Sequence, residues 1–276
     1  MDKIDYLKHK SYLIRKSVIE MLAEAGSGHL GGSLGLADIF SVLYFSEMKH
    51  DSSNPIWEER DRLILSIGHV APVLYASLAH AGYFDINELF TLRKINSRLQ
   101  GHPGKDKGLP GLECSTGSLG QGLSIAAGIA LGLKLNNSKS RVFCICGDGE
   151  LQEGSIWEAA MTASHYKLDN LICIVDRNGL QIDGKTSEVM EIDPLQEKWQ
   201  AFGWIVENCN GNNIVDILNT FDKIRTLKGK PVVIIAKTIM GKGIKSVEND
   251  YKWHGKAPNK EQAIEFLKEL NENEGI

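Results

Sequence analysis

Apolar residues recur at helical spacing from Tyr12 to Ala25, through Leu13, Ile14, Val18, Met21, Leu22 and Ala25, and Gly26 follows where such a helix would end. The pattern predicts an amphipathic helix with Gly26 as its C-cap. Four later runs, Leu63–Ile67, Val142–Cys146, Leu171–Val175 and Val232–Ala236, are rich in Val and Ile and do not alternate with polar residues. Continuous apolar strands predict a sheet covered on both faces. Between and around them lie helix-like stretches: Ala37–Ser46, Val70–Ala81, Gly122–Leu135, Gly154–His165 and Ile214–Leu227. Alternation of this kind predicts an α/β fold, a doubly wound and mostly parallel sheet flanked by helices. A last helix is predicted over Asn259–Leu270, with Asn259 as N-cap and Ala263, Ile264, Leu267 and Leu270 as its apolar stripe. No internal repeat, low-complexity tract or Pro/Ser-rich linker interrupts residues 1–276, which predicts one domain.

In an open parallel sheet, ligands bind beyond the carboxyl ends of the strands. The four apolar runs end in Ser66-Ile67-Gly68-His69, Gly147-Asp148-Gly149, Asp176-Arg177-Asn178 and Lys237-Thr238, so polar groups share one edge of the predicted sheet. Asp148 and Asn178 each follow a strand directly, and the chain between them is long enough for one βαβ crossover, which would set the two side chains close together. A carboxylate and an amide oxygen, with a backbone carbonyl nearby, suit a hard cation such as Mg²⁺ or Ca²⁺ and leave positions open for phosphate oxygens. The glycines around Asp148 let backbone approach an anion, and the helix that follows would aim its N-terminus at it. The plainer alternative makes Gly-Asp-Gly a turn and Asn178 a loop residue; the strand context of both favours the cation site.

Four of the eight histidines, His29, His69, His102 and His254, sit beside glycine in loops, where a side chain is placed for contact instead of packing. His9, His50, His80 and His165 lie on helix-like or charged segments and are expected at the solvated surface. A zinc site built from the first four is disfavoured, because no pair has i, i+4 spacing and no ligand cysteine is near. Gly179 to Thr186 satisfies the pattern of a phosphate-binding P-loop after a strand. That reading needs a helix starting at Lys185-Thr186, where Glu188, Glu191, Asp193 and Pro194 give no apolar stripe, and Asp183 would repel a phosphate. No strand leads into GxGxxG, so a dinucleotide site is not expected either.

Composition narrows the function classes. Net charge is −4 with 24% charged residues, which lacks the basic excess of a nucleic-acid binder, so small molecules and other proteins are the expected partners. The five cysteines are odd in number, and Cys144, Cys146 and Cys173 lie inside strand-like runs, so reduced thiols are expected. The first residues carry charges at short intervals and lack the apolar core of about 7–15 residues that marks a signal peptide. No stretch suits a membrane span, and a cytoplasmic location is expected.

The stretch Gly147-Asp148-Gly149, 28 residues, then Asn178 resembles the thiamin diphosphate motif, and the sequence looks like transketolase over nearly its whole length. Ser27-Gly28-His29 with Gly35–Ile39, Asp61–Ser66 running into Gly68-His69, and Gly101-His102-Pro103 resemble the family's first three histidine segments. Gly117-Ser118-Leu119-Gly120-Gln121-Gly122 is similar to its glycine-rich cofactor loop, and His254-Gly255-Lys256-Ala257-Pro258 to its last histidine segment. The resemblance implies that Asp148, the Asn178 side chain and the Leu180 carbonyl hold Mg²⁺ or Ca²⁺, which in turn holds the diphosphate. It implies diphosphate contacts from Gly149 and His69 and a cofactor wall from Gly117 and Leu119. His29, His102 and His254 would surround the reacting carbons, His254 also against the cofactor, and Glu153 would join a carboxylate network across a subunit interface. The implied reaction moves a two-carbon ketol unit from a ketose phosphate to an aldose phosphate. Since the resemblance ends near His254, the pyrimidine-binding and C-terminal domains are expected on a partner chain, the C-terminal transketolase subunit, in an α₂β₂ assembly. A 1-deoxyxylulose-phosphate synthase, a specialised sugar ketol-transferase and a non-catalytic binding module remain as alternatives.

Overall fold

The computed structural model describes residues 1–274. Helix α1 (Lys3–Ala25) leads through α2 (Leu30–Gly35) and α3 (Ala37–Val42) to strand β1 (Arg62–Leu65) and helix α4 (Ala71–His80). A long loop precedes α5 (Gln121–Leu135), β2 (Val142–Gly147), α6 (Gly154–His165) and β3 (Leu171–Arg177). A hairpin of β4 (Leu180–Gln181) and β5 (Gly184–Lys185) follows, then α7 (Thr186–Val189), α8 (Leu195–Ala201), β6 (Ile205–Asn210), α9 (Ile214–Ile224), β7 (Val232–Lys237) and α10 (Lys260–Glu274).

Five strands pair in parallel in the order β1-β2-β3-β7-β6, with Cys144 opposite Cys173 and Ile174 opposite Ile234. Strand periodicity sends alternate residues to opposite faces, and both faces are covered. Phe143, Ile145, Ile172, Ile174 and Ile234 pack with α1, α3, α4, α9 and α10. Cys144, Cys146, Cys173, Val175 and Val233 pack with α5, α6 and α8. The doubly wound sheet expected from the apolar runs is present, and all five cysteines are free.

Helix α1 is the longest element. Ile14, Val18, Met21 and Leu22 are fully buried, each worth about 1.5–3 kcal/mol relative to exposure. The same helix carries a buried ion pair, with Arg15 Nη2 at 2.6 Å from Asp38 Oδ2. Ser11 donates to Asp38 Oδ1, Asn212 Nδ2 donates to Oδ2 at 2.9 Å, and Arg15 Nε donates to the Leu34 carbonyl at 3.2 Å. Burial alone would raise the Asp38 carboxyl, but these partners outweigh it and hold it below its usual value. The network ties α1 to α3 and to the turn before α9.

Several boundaries depart from expectation. Helix α1 begins at Lys3, capped by Asp2, whose carboxylate accepts the Asp5 N–H at 2.8 Å; this first part is charged and shows no stripe. The predicted Ala37–Ser46 helix loosens after Val42 into a π-turn at Leu43–Glu47. In α10 Asn259 caps as expected, but Ile264 is 70% exposed and Phe266, 5% exposed, takes the core position beside Ala263 and Leu270. Strand β6, absent from the expectation, lies at the sheet edge and is mostly not buried, so its sequence is polar. Among the described residues no helix is long and apolar enough to cross a membrane.

Candidate active site at the carboxyl edge of the sheet

Beyond β1 the chain runs into α4 on one face of the sheet, and beyond the neighbouring β2 into α6 on the other. The two exits diverge and leave a crevice between adjacent strand ends. A cavity of about 500 Å³ occupies it. Its wall includes His29, His69, His102, His254, Gly117, Leu119, Asp148, Gly149, Glu153, Asn178 and Leu180, so the structure brings together every site residue expected from the sequence.

One end is acidic. Asp148, 1% exposed, follows β2 and accepts the Gly149 N–H at 2.8 Å, the Gly179 N–H at 2.6 Å and Arg177 Nη1 at 3.2 Å. Burial nevertheless pushes its carboxyl up from the ordinary value. Asp176, at the end of β3, is fully buried and pushed up to about 7 by burial, with Asp148 adding to the rise and Thr238 and Asn178 opposing it. Asn178 donates its amide to Asp176 at 2.9 Å, which fixes the orientation of its oxygen; that oxygen accepts the Leu180 N–H at 2.9 Å. Of these two buried carboxyls Asp148 has the Arg177 guanidinium, whereas Asp176 is held by Thr238 and Asn178, so added positive charge would be favourable here. Among the described residues no group of three or more His, Cys, Asp or Glu side chains could hold a metal ion. The Asp148 carboxylate, the Asn178 amide oxygen and the Leu180 carbonyl are oxygen donors of the kind that would suit Mg²⁺ or Ca²⁺.

The other end is basic in type but uncharged. The rings of His29, His69 and His254 lie 4.9–5.9 Å apart by centroid. Burial, and secondarily the neighbouring histidines, lowers His29 to about 4 and His69 to about 3. Burial lowers His254 as well, and burial followed by Arg93 lowers His102. All four are neutral imidazoles near pH 7, each with one donor and one acceptor nitrogen. His29 Nδ1 is buried with no hydrogen-bond partner, a polar atom left for a ligand.

The glycine-rich loop closes the wall between the two ends. Gly117 (φ 137°) and Gly120 (φ 84°) occupy backbone conformations that favour glycine, and a Cβ on Gly117 would lie 2.8 Å from the His102 ring. Leu119, 37% exposed, lines the cavity, and Glu153 lies exposed just before α6.

Some expectations need correction. No helix starts directly after Gly149: a 3₁₀ turn over Gly149–Gln152 intervenes, and α6 begins at Gly154. A helix does begin after Lys185, but it is the single turn α7, and the P-loop pattern folds as the β4–β5 hairpin with exposed Lys185 paired to Glu188. His50 and His80 are half-buried and bonded to the Tyr44 carbonyl (2.6 Å) and Ser17 (3.0 Å), unlike exposed His9 and His165. Asp176 and Ser66 stand in strand-end segments visible in the sequence, yet nothing there marks them as turned inward. Glu150 was missed altogether; it is 2% exposed and lies between the glycine-rich loop and Asp148.

Sheet and site together define an α/β cofactor-binding domain. The chain belongs to the transketolase family: the family described as "Transketolase, thiamine diphosphate binding domain" matches residues 8–273, in agreement with the motif resemblance but running past His254, the expected end of that resemblance. It is 42% identical over 269 residues to the 6-deoxy-6-sulfo-D-fructose transketolase subunit SqwG of Clostridium sp. (strain MSTE9), covering 98% of this chain and 97% of that protein. It is 43% identical over 269 residues to one of the subunits of the apulose-4-phosphate transketolase of Actinobacillus succinogenes, covering 97% of each. The solved transketolase of Campylobacter jejuni superposes with a TM-score of 0.91 at 36% identity, over all of this chain and 43% of that one. The chain thus spans less than half the length of that solved enzyme.

Proposed function

We propose that this chain holds thiamin diphosphate and a divalent cation, Mg²⁺ or Ca²⁺, in the 500 Å³ cavity and, joined to a partner polypeptide, transfers a two-carbon ketol unit between sugar phosphates. The observation that carries the reading is one cavity with a buried acidic end and a neutral histidine end, in a chain of this family. Asp148, the Asn178 amide oxygen and the Leu180 carbonyl hold the cation; Gly149 and His69 meet the diphosphate; Gly117 and Leu119 form the cofactor wall. Bound thiamin diphosphate supplies the electron sink that lets a ketose C2–C3 bond break. His29, His102 and His254, being neutral, can donate to the sugar carbonyl oxygen or accept a proton from a hydroxyl without first losing one. Arg177 and Asp176 orient the cation ligands.

A partner is supported by two relatives that are named subunits and match this chain over almost their whole lengths. In this reading the chain is one domain, the partner brings the remaining transketolase domains, Glu153 faces it, and the assembly is α₂β₂. The same two names favour a specialised sugar ketol-transferase, acting on a ketose with an anionic group remote from the transferred carbons. The test is a ketol-transfer assay with thiamin diphosphate and Mg²⁺, using this chain alone and then with the product of a neighbouring gene. Activity only in the mixture is expected; turnover by the isolated chain would overturn the partner requirement.

A further inference from the structure

We propose that Glu150, with Ser66, is a positioning pair that sets the spacing between the two walls of the cofactor cavity; the inference rests on the thiamin diphosphate reading. Glu150 Oε1 accepts the Ser66 hydroxyl and the Gly120 N–H (2.8 Å), and Oε2 accepts the Gly147 N–H at 3.1 Å. Ser66 Oγ accepts in turn from the Gly122 N–H at 3.1 Å. Donors from three separate segments therefore converge on one buried carboxyl and one buried hydroxyl: the end of β1, the loop entering α5, and the end of β2. The second of these segments carries Gly117 and Leu119, and the third leads into Asp148 and Gly149, so the tie joins two separate segments that line the cavity.

The chemistry requires a carboxyl. Backbone N–H groups approach it from both sides, and each would be buried without a partner if an acceptor were lost. In Glu150→Gln the new amide NH₂ must face either Gly120 or Gly147 donor to donor, whichever way it is turned. One wall is displaced in either case. Glu150 lines the same cavity as the histidines, but the hydrogen bonds of Glu150 and Ser66 go to Gly120, Gly122, Gly147 and each other, so the effect falls on cofactor capture and not on bond breaking.

The experiment titrates thiamin diphosphate at fixed Mg²⁺ into the assembled protein by calorimetry, for the parent, Glu150→Gln and Ser66→Ala. Expected is a Kd raised about 10- to 100-fold in Glu150→Gln and several-fold in Ser66→Ala, with kcat at saturating cofactor within about threefold of the parent. A role confined to folding would lower the melting temperature and leave Kd unchanged. Equal Kd in parent and folded Glu150→Gln overturns the proposal; if that variant does not fold, equal Kd in Ser66→Ala overturns it. A parent that takes up no thiamin diphosphate refutes the cofactor reading itself, which is a separate outcome.

Discussion

Replacing Asp148 by asparagine separates what this residue does for the fold from what it does for a cation. The substitution keeps the volume of a side chain that is 1% exposed and keeps one acceptor oxygen. That oxygen can remain with the Gly179 N–H, now 2.6 Å away, while the new NH₂ faces the Gly149 N–H, now 2.8 Å away, at a cost of about 1–3 kcal/mol. Arg177 donates to that same retained oxygen at 3.2 Å, so it keeps this acceptor together with Thr186 at 2.9 Å and Asp193 at 3.0 Å and loses only the charge opposite it. Against these losses stands the removal of a carboxylate whose pKa burial pushes up, so the neutral side chain relieves part of the desolvation. The two effects nearly offset. The cofactor-free variant should melt within about 5 °C of the parent, since about 1 kcal/mol moves a domain of this size by about 2–4 °C.

Cation binding has no such offset. Loss of a residue that merely supports a metal ligand weakens affinity about 10- to 100-fold, and loss of a charged ligand should exceed that, so at least about 100-fold is expected. The assay is thermal unfolding with and without thiamin diphosphate and Mg²⁺. At about 100 times its Kd, a ligand stabilises the folded parent by about 2.7 kcal/mol, a rise of several degrees. The variant at the same concentrations should show almost none. A cofactor-induced rise equal to the parent's would refute the assignment of Asp148 as a cation ligand.

Acid should destabilise the chain through His29 and His69. Their folded values are about 4 and about 3 against about 6.5 unfolded, so the unfolded state takes up protons first, and stability that is complete above pH 6.5 falls as pH drops towards 4. At pH 5 the loss is about 2 kcal/mol for His69 and less for His29, which solvent partly screens, read by urea unfolding across pH; stability that stayed level from pH 7 to 5 in the cofactor-free chain would contradict it. Arg15→Met should destabilise by about 3–5 kcal/mol, because it leaves the Asp38 carboxylate buried without its guanidinium; chemical denaturation measures this, and a loss under about 1 kcal/mol would disprove the argument. Gly122→Ala places a Cβ 2.6 Å from the Ser66 Cα, a backbone atom, so a loss of about 1–3 kcal/mol is expected, and an unchanged melting temperature would show that α5 can shift freely.

The parts of the fold that were legible in the sequence are those buried on both sides. Strands β2, β3 and β7 have no solvent face, so every position in their middles is apolar and the runs stand out. Strand β6 pairs on one side only, and Glu207, Asn208 and Asn210 stand where a central strand would carry Val or Ile; periodicity has nothing to detect there. The exchange of Phe266 for Ile264 in the core of α10 has a similar origin, since both residues are apolar and only the rotation of the helix against α1 decides which one is buried. At the site, residues that depart from their surroundings were legible: Asp148 between glycines, Asn178 after a strand, histidines next to glycine. Glu150 and Asp176 were not, because a buried carboxylate and a solvated one look alike until the donors around them are placed.

The cavity's two ends carry opposite types of titratable group under one shared influence. Burial raises Asp148 and Asp176 and lowers His29 and His69, so at both ends it disfavours the charged form. At the acidic end the hydrogen bonds from Gly179, Gly149, Thr238 and Asn178 keep carboxyl oxygens in place although the charge is poorly offset, which favours a bound cation. At the histidine end burial keeps the imidazoles neutral, so they would neither repel a cation nor compete with it for the diphosphate. Exchanging the two environments would undo both: histidines beside Asp148 would become protonated and take the cation's place, and a carboxylate among the histidines would pair with one of them and remove its free nitrogen from the sugar. The separation of charge along one cavity, set by which strand end each residue follows, is what suits this site to a cofactor with an anionic tail and a reacting head.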